Sequence, residues 1–174
     1  MIKINHYLLL FLIIMLSGCV GMPQGVKPVD DFELNKYLGT WYEVARLDHS
    51  FERGLDQVTA EYVLQDDGSV NVINRGFSLK KQQWQEANSR AYFVESSDLG
   101  YLKVSFFGPF YGSYVIFGLD KSNYQYAFVS GPDLDYLWLL ARTKTLSPEV
   151  ITQFTDQAQA LGFETDKLIF VNHQ

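Results

Sequence analysis

Cysteine occurs once in these 174 residues, at position 19. No intramolecular disulfide can form, and no thiolate cage for a metal can be assembled. Histidine is nearly as scarce: past the N-terminal apolar run only His49 and His173 remain. They offer neither the spacing of a zinc site nor a base beside a nucleophile, so no metal, no cofactor and no catalytic residue is expected. Clusters of Lys and Arg are missing too, and the formal charge is -6. That excludes a nucleic-acid partner, because phosphate binding needs clustered cations. What is abundant is apolar bulk, 47% hydrophobic and 16% aromatic residues, enough for one domain with its own core or a lined cavity.

The N-terminus reads differently from the rest. Lys3 precedes the uninterrupted apolar run "YLLLFLIIML" (7 to 16), and "LSGC" closes it with small residues. The run is short for a membrane-spanning helix and fits a secretion signal. "LSGC" resembles the bacterial lipobox, which implies lipidation of Cys19 after signal cleavage. Multiple acyl chains anchor stably, at about 0.8 kcal/mol per buried methylene. Val20 follows, not Asp, and the resemblance then implies the outer membrane, with the protein on its periplasmic face. The expected organisation is a signal peptide over 1 to 18, a Gly- and Pro-containing lipid-anchored tether over 19 to 30, and a folded domain over 31 to 174.

Within that domain, period-2 alternation predicts strands near 40 to 47, 57 to 65, 69 to 77, 88 to 95, 101 to 107, 113 to 119, 124 to 130 and 136 to 143. Turn chemistry separates them, as in "DDG" at 66 to 68 and "SGPDLD" at 130 to 135. One segment departs from this pattern. Ser147, Pro148 and Glu149 open a helix, Val150, Ile151, Phe154, Ala158 and Leu161 recur at its spacing, and Gly162 closes it. "KLIFV" at 167 to 171 predicts a short final strand. Consecutive strands without βαβ alternation predict an all-β fold, an eight-stranded antiparallel up-and-down barrel with one C-terminal helix outside it. Such a barrel has room for one small ligand.

"GTWYEVARL" (39 to 47) is similar to the first lipocalin motif, "DKSNY" (120 to 124) lies where the second falls, and Arg142 in "LLARTK" lies at the third. The resemblance covers essentially all of the mature chain. With the lipobox it points to the bacterial outer-membrane lipoprotein branch. The second motif carries Lys121 where the family commonly has an aromatic. The resemblance implies that Trp41 and Arg142 pack together as a structural plug at the closed end, with Gly39 turning the chain tightly beneath them.

Alternation assigns the remaining faces. Tyr136, Trp138 and Leu140 share the inward face of Arg142, leaving Leu137 and Leu139 outward to be covered by the helix. Val58, Ala60, Tyr62 and Leu64 are expected inward, as are Val70, Val72 and Asn74, and Leu102, Val104 and Phe106. The ligand-lining set is then Val58, Ala60, Tyr62, Val72, Asn74, Leu102, Val104, Phe106, Tyr136, Trp138 and Leu140. Asn74 either meets a ligand head group or is satisfied by neighbours, and Glu43 is expected to turn toward Arg142. "DHSFERGLD", "LKKQQWQEA", "FFGPFYG" and "SGPDLD" are expected as mouth loops, gathering Phe51, Trp84, Phe110 and Tyr111 around the entrance. These aromatics could meet membrane, shield a ligand, form a homodimer contact or fold back over the barrel.

The function that follows is a non-catalytic carrier of a fatty acid or lysophospholipid, anchored through N-terminal acyl chains and driven by burial of apolar surface at about 25 cal/mol per Å². The alternatives are a docking protein using the aromatic rim and a lipocalin-fold enzyme.

Overall fold

In the computed structural model, which describes residues 20–107 and 110–173, nine strands form one antiparallel sheet in the order β2-β3-β4-β5-β6-β7-β8-β1-β9. The strands are β1 (Gly39–Arg46), β2 (Leu55–Leu64), β3 (Val70–Ser78), β4 (Gln83–Phe93), β5 (Tyr101–Phe107), β6 (Phe110–Leu119), β7 (Tyr126–Ser130), β8 (Leu137–Ala141) and β9 (Ile169–Phe170). β1 also pairs with β2, from Gly39↔Tyr62 to Tyr42↔Thr59. This pairing closes eight strands into a barrel and leaves β9 as a short addition beside β1. Closure removes the exposed edges that an open sheet would present.

Among the described residues, two α-helices flank the barrel. α1 (Leu34–Tyr37) is a single turn under the closed end, and α2 (Pro148–Ala160) lies outside the wall. Proline at the start of α2 and Gly162 at φ +93° beyond its end match the signals in the sequence. The apolar side chains divide accordingly into two cores. Trp41, Ala60, Tyr62, Val72, Val104, Trp138 and Leu140 belong to the inner one. Leu137, Leu139, Phe128 and Ala141 belong to the outer one, capped by Phe154 and Ala158 of α2. Strand alternation thus sends neighbouring residues of β8 into different cores.

Three features differ from the sequence expectation. β4 begins at Gln83, so the segment expected as a long loop around Trp84 is mostly strand. Every residue from Val70↔Ala91 to Ser78↔Gln83 is in register with β3. "QWQEANS" has few β-formers, and its conformation is imposed by the neighbouring strand. Trp84 consequently stands on the outer wall against Phe77, with the Arg75 guanidinium 4.6 Å from its ring centroid. The final strand is also shorter than expected, two residues.

The third difference is the segment read as a tether. Residues 20 to 30 lie along the barrel wall: Val29 N–H donates to the Ile116 carbonyl at 2.8 Å, and Gly100 N–H donates to the Val29 carbonyl at 2.9 Å. Val26 is buried in the outer core, and Lys121 pairs with Asp30. Apolar side chains within a Gly- and Pro-containing stretch were enough to seat it.

Candidate functional site

The closed end is built from aromatic rings and one cation. Gly39 enters β1 at φ +88°, a conformation that costs glycine little. Trp41 follows, fully buried, and its indole N–H donates to the Tyr37 carbonyl at 2.7 Å. The Arg142 guanidinium lies 3.9 Å from the Trp41 ring centroid. Above them Tyr114 shares hydroxyl hydrogen bonds with Tyr37 at 2.7 Å and Tyr62 at 2.6 Å. Burial raises all three phenols above their ordinary range, which keeps this tyrosine layer above Arg142 uncharged.

Over this floor the barrel is hollow in three adjoining compartments that share lining residues. The deepest, about 30 Å³, is walled by Ala60, Tyr62, Val72, Val104, Trp138 and Leu140. It has room for water but not for an acyl chain. A second, about 120 Å³, opens between β2, β3 and β4 past Val58 and Asn74. The outermost, about 330 Å³, lies at the mouth between Val104, Tyr111, Tyr136 and Trp138. Phe51 borders all three.

Of the residues expected to line a ligand, Val58, Ala60, Tyr62, Val72, Asn74, Val104, Tyr136, Trp138 and Leu140 border one or more compartments. Leu102 is buried in the inner core without reaching these compartments. The side chain of Phe106, like Cys19, lies outside the described residues. Asn74 Nδ2 is buried without a hydrogen-bond partner and faces the deep and side compartments.

A buried polar cluster on the wall of this cavity escaped the sequence reading. Glu43 does not turn toward Arg142. Its carboxylate accepts from Arg46 Nη1 at 2.5 Å, with both side chains almost fully buried. The cause is a β-bulge between Glu43 and Ala45, which breaks the period-2 alternation and brings Arg46 to the face of Glu43. Arg46 also donates to the Glu52 and Leu55 carbonyls, both at 3.1 Å. His49, expected in an open mouth loop, is buried instead. Its Nε2 lies 3.0 Å from Glu52 Oε2, which also accepts from the Trp138 indole N–H at 3.1 Å. Phe51 stacks on the His49 ring with centroids 4.0 Å apart.

The two carboxyl groups differ in character. Burial, then the neighbouring Glu52 charge, hold Glu43 well above the usual carboxylate range despite Arg46. Burial would raise Glu52 as well, but His49, Trp138 and Arg46 together hold it below its ordinary value. The mouth-proximal wall therefore combines a reluctant acid with a firm carboxylate.

A blind-ended antiparallel barrel with an apolar cavity defines a binding protein for small molecules. A lipocalin-like domain matches residues 32–173, and the chain belongs to the lipocalin family, in its bacterial outer-membrane lipoprotein branch. It is 62% identical over 161 residues to outer membrane lipoprotein Blc of Vibrio cholerae, covering 92% of this chain and 94% of that one. Identity to the protein of the same name from Escherichia coli K12 is 51% over 149 residues, covering 86% and 84%. Among solved structures, insecticyanin of the tobacco hornworm Manduca sexta superposes with a TM-score of 0.70 at 22% identity, covering 88% of this chain and 87% of that one. That likeness is one of fold.

Proposed function

We propose that the chain stores or transports fatty acids or lysophospholipids in the barrel cavity, anchored by acyl chains on Cys19 at the periplasmic face of the outer membrane. The observation that carries this reading is the convergence of three apolar-walled compartments on one side chain, Phe51. Turning that ring aside joins the mouth to the deep compartment along Val104 and Trp138, a narrow blind path suited to one acyl chain. Pocket burial supplies the binding energy at about 25 cal/mol per Å². A polar head group would stay at the mouth, where Ser50, Tyr111 and Tyr136 border the outer compartment.

The test is titration of protein lacking the Cys19 anchor with palmitate and with lysophosphatidylcholine. Trp138 borders the cavity, so occupancy should change tryptophan emission saturably. Lipid extraction and mass spectrometry of protein purified from its own membrane should then find a bound acyl chain. No saturable response to either lipid, with an empty extract, would sink the carrier reading and favour the rim as a docking surface.

A further inference from the structure

We infer that the barrel docks mouth-first on an anionic lipid leaflet, through the β3–β4 hairpin and the start of β6, and that segment 20 to 30 is a strap holding it in that pose. The inference rests on the proposed anchor at Cys19.

The strap leaves little slack. The Tyr101 hydroxyl donates to the Val20 carbonyl at 2.5 Å, and the Ser113 hydroxyl donates to the Gly21 carbonyl. Cys19 is one residue from Val20, and successive Cα atoms are about 3.8 Å apart. Val20, to which Cys19 is joined, is therefore held on the β5–β6 wall. Ser113 is three residues from Phe110 at the mouth end of β6 and six from Leu119 at its closed end. At about 3.3 Å per strand residue, that is roughly 10 Å to the rim against 20 Å to the closed end. An acylated Cys19 so placed brings the mouth to the membrane in preference to the floor.

The rim next to the strap has the chemistry for such a surface. Leu79, Trp84 and Phe110 are 55%, 45% and 73% exposed. Lys80 and Lys81 are exposed at the hairpin tip beside Leu79. Lys103 lies 5.3 Å from the ring centroid of Tyr111. In a chain of net charge -6, these cations gather on one sector, while in the other mouth loops Asp48 is paired with Arg53 and Asp133 and Asp135 add further carboxylates. Tryptophan and lysine flanking exposed apolar side chains suit the head-group region of an anionic leaflet. A tilt toward the basic sector keeps the carboxylates in water. It also sets the cavity entrance against the leaflet, so that a lipid enters without crossing bulk water.

The experiment uses full-length lipidated protein in vesicles of phosphatidylethanolamine and phosphatidylglycerol. An environment-sensitive fluorophore is attached in Leu79→Cys at the hairpin tip or in Leu64→Cys at the closed end, the acylated Cys19 being unavailable for labelling. Brominated lipid should quench the probe at position 79, and aqueous iodide the probe at 64. The pair Lys80→Gln and Lys81→Gln should reduce the lipid quenching at 79, as should high salt. Tyr101→Phe with Ser113→Ala should broaden the depth of the probe, and an unaltered depth would overturn the role of the strap. Protein that fails to sediment with vesicles overturns the anchor and the docking together. Protein that sediments with both probes equally open to iodide overturns the docking alone.

Discussion

The Arg142 guanidinium lies over the Trp41 indole, 3.9 Å from its centroid, and donates to the Thr40, Lys36 and Leu38 carbonyls at 2.8, 2.8 and 2.9 Å. One cation thereby ties β8 to both α1 and β1. Lysine cannot reach three carbonyls while stacking on a ring. Arg142→Lys should cost about 2 kcal/mol through the lost cation–π contact and charged hydrogen bonds. The urea midpoint should fall at constant m-value. Ligand affinity should not change, because the pair sits beneath the cavity floor.

Ala60 tests the cavity itself. It borders the deep compartment of about 30 Å³, so a phenyl ring there would fill that space and press on Tyr62 and Leu140. Ala60→Phe should cost about 1–3 kcal/mol by overpacking. In a chain-length series of fatty acids, affinity for the longest acyl chains should fall most. An equal loss at every length would mean that the chain terminus does not reach the floor.

Most of what alternation could reach was legible in the sequence, although Leu64, expected inward, is exposed at the closed end of β2; residues behind a break in alternation were not. Leu137 and Leu139 are in the outer core under α2, whereas Trp138 and Leu140 are in the inner one, as strict period-2 reading requires. Arg46 was missed because the bulge at Glu43/Ala45 shifts its phase, and no local residue signals that bulge. His49 and Glu52 were missed because loop residues have no period. Their burial comes from Phe51, Tyr136 and Trp138 closing over them. A charged pair inside the apolar run "YEVARL" was the one available hint. The start of β4 was hidden for another reason, since β3 dictates its conformation and its own composition does not.

The Glu43–Arg46–Glu52–His49 cluster makes stability depend on pH in two opposed ways. Glu43 is raised in the folded state, so the native protein keeps a proton that the unfolded chain releases. Its contribution is present below the unfolded carboxyl pKa, about 4.3, and is lost as pH rises through the folded value. Glu52 is lowered, so its contribution is present above that unfolded value and is lost as pH falls through the folded one. Glu43→Gln, which retains an acceptor for Arg46, should flatten the decline in stability toward neutral pH. Glu52→Gln removes the carboxylate facing His49 and Trp138 and should cost about 3 kcal/mol at neutral pH. Denaturant titrations of both variants across a pH series would show the two slopes separately.

Phe51 offers the sharpest test of how a ligand enters. Its ring borders all three compartments and stacks on His49 with centroids 4.0 Å apart, with Tyr136 and Trp138 both at 6.4 Å. Turning it aside gives up that stacking, so the open arrangement is a minor population in the empty protein. An open form populated at about 10% weakens apparent affinity about tenfold. Phe51→Ala should recover that factor and speed association, at a cost in stability of about 1 kcal/mol from the lost ring contacts. Stopped-flow tryptophan fluorescence in a Trp84→Phe background, which removes the exposed indole, would follow the cavity through Trp138. Unchanged association rates would show that Phe51 packs against the ligand instead of standing in its way. Tighter binding with faster entry would establish the ring as the partition between the mouth and the deep barrel.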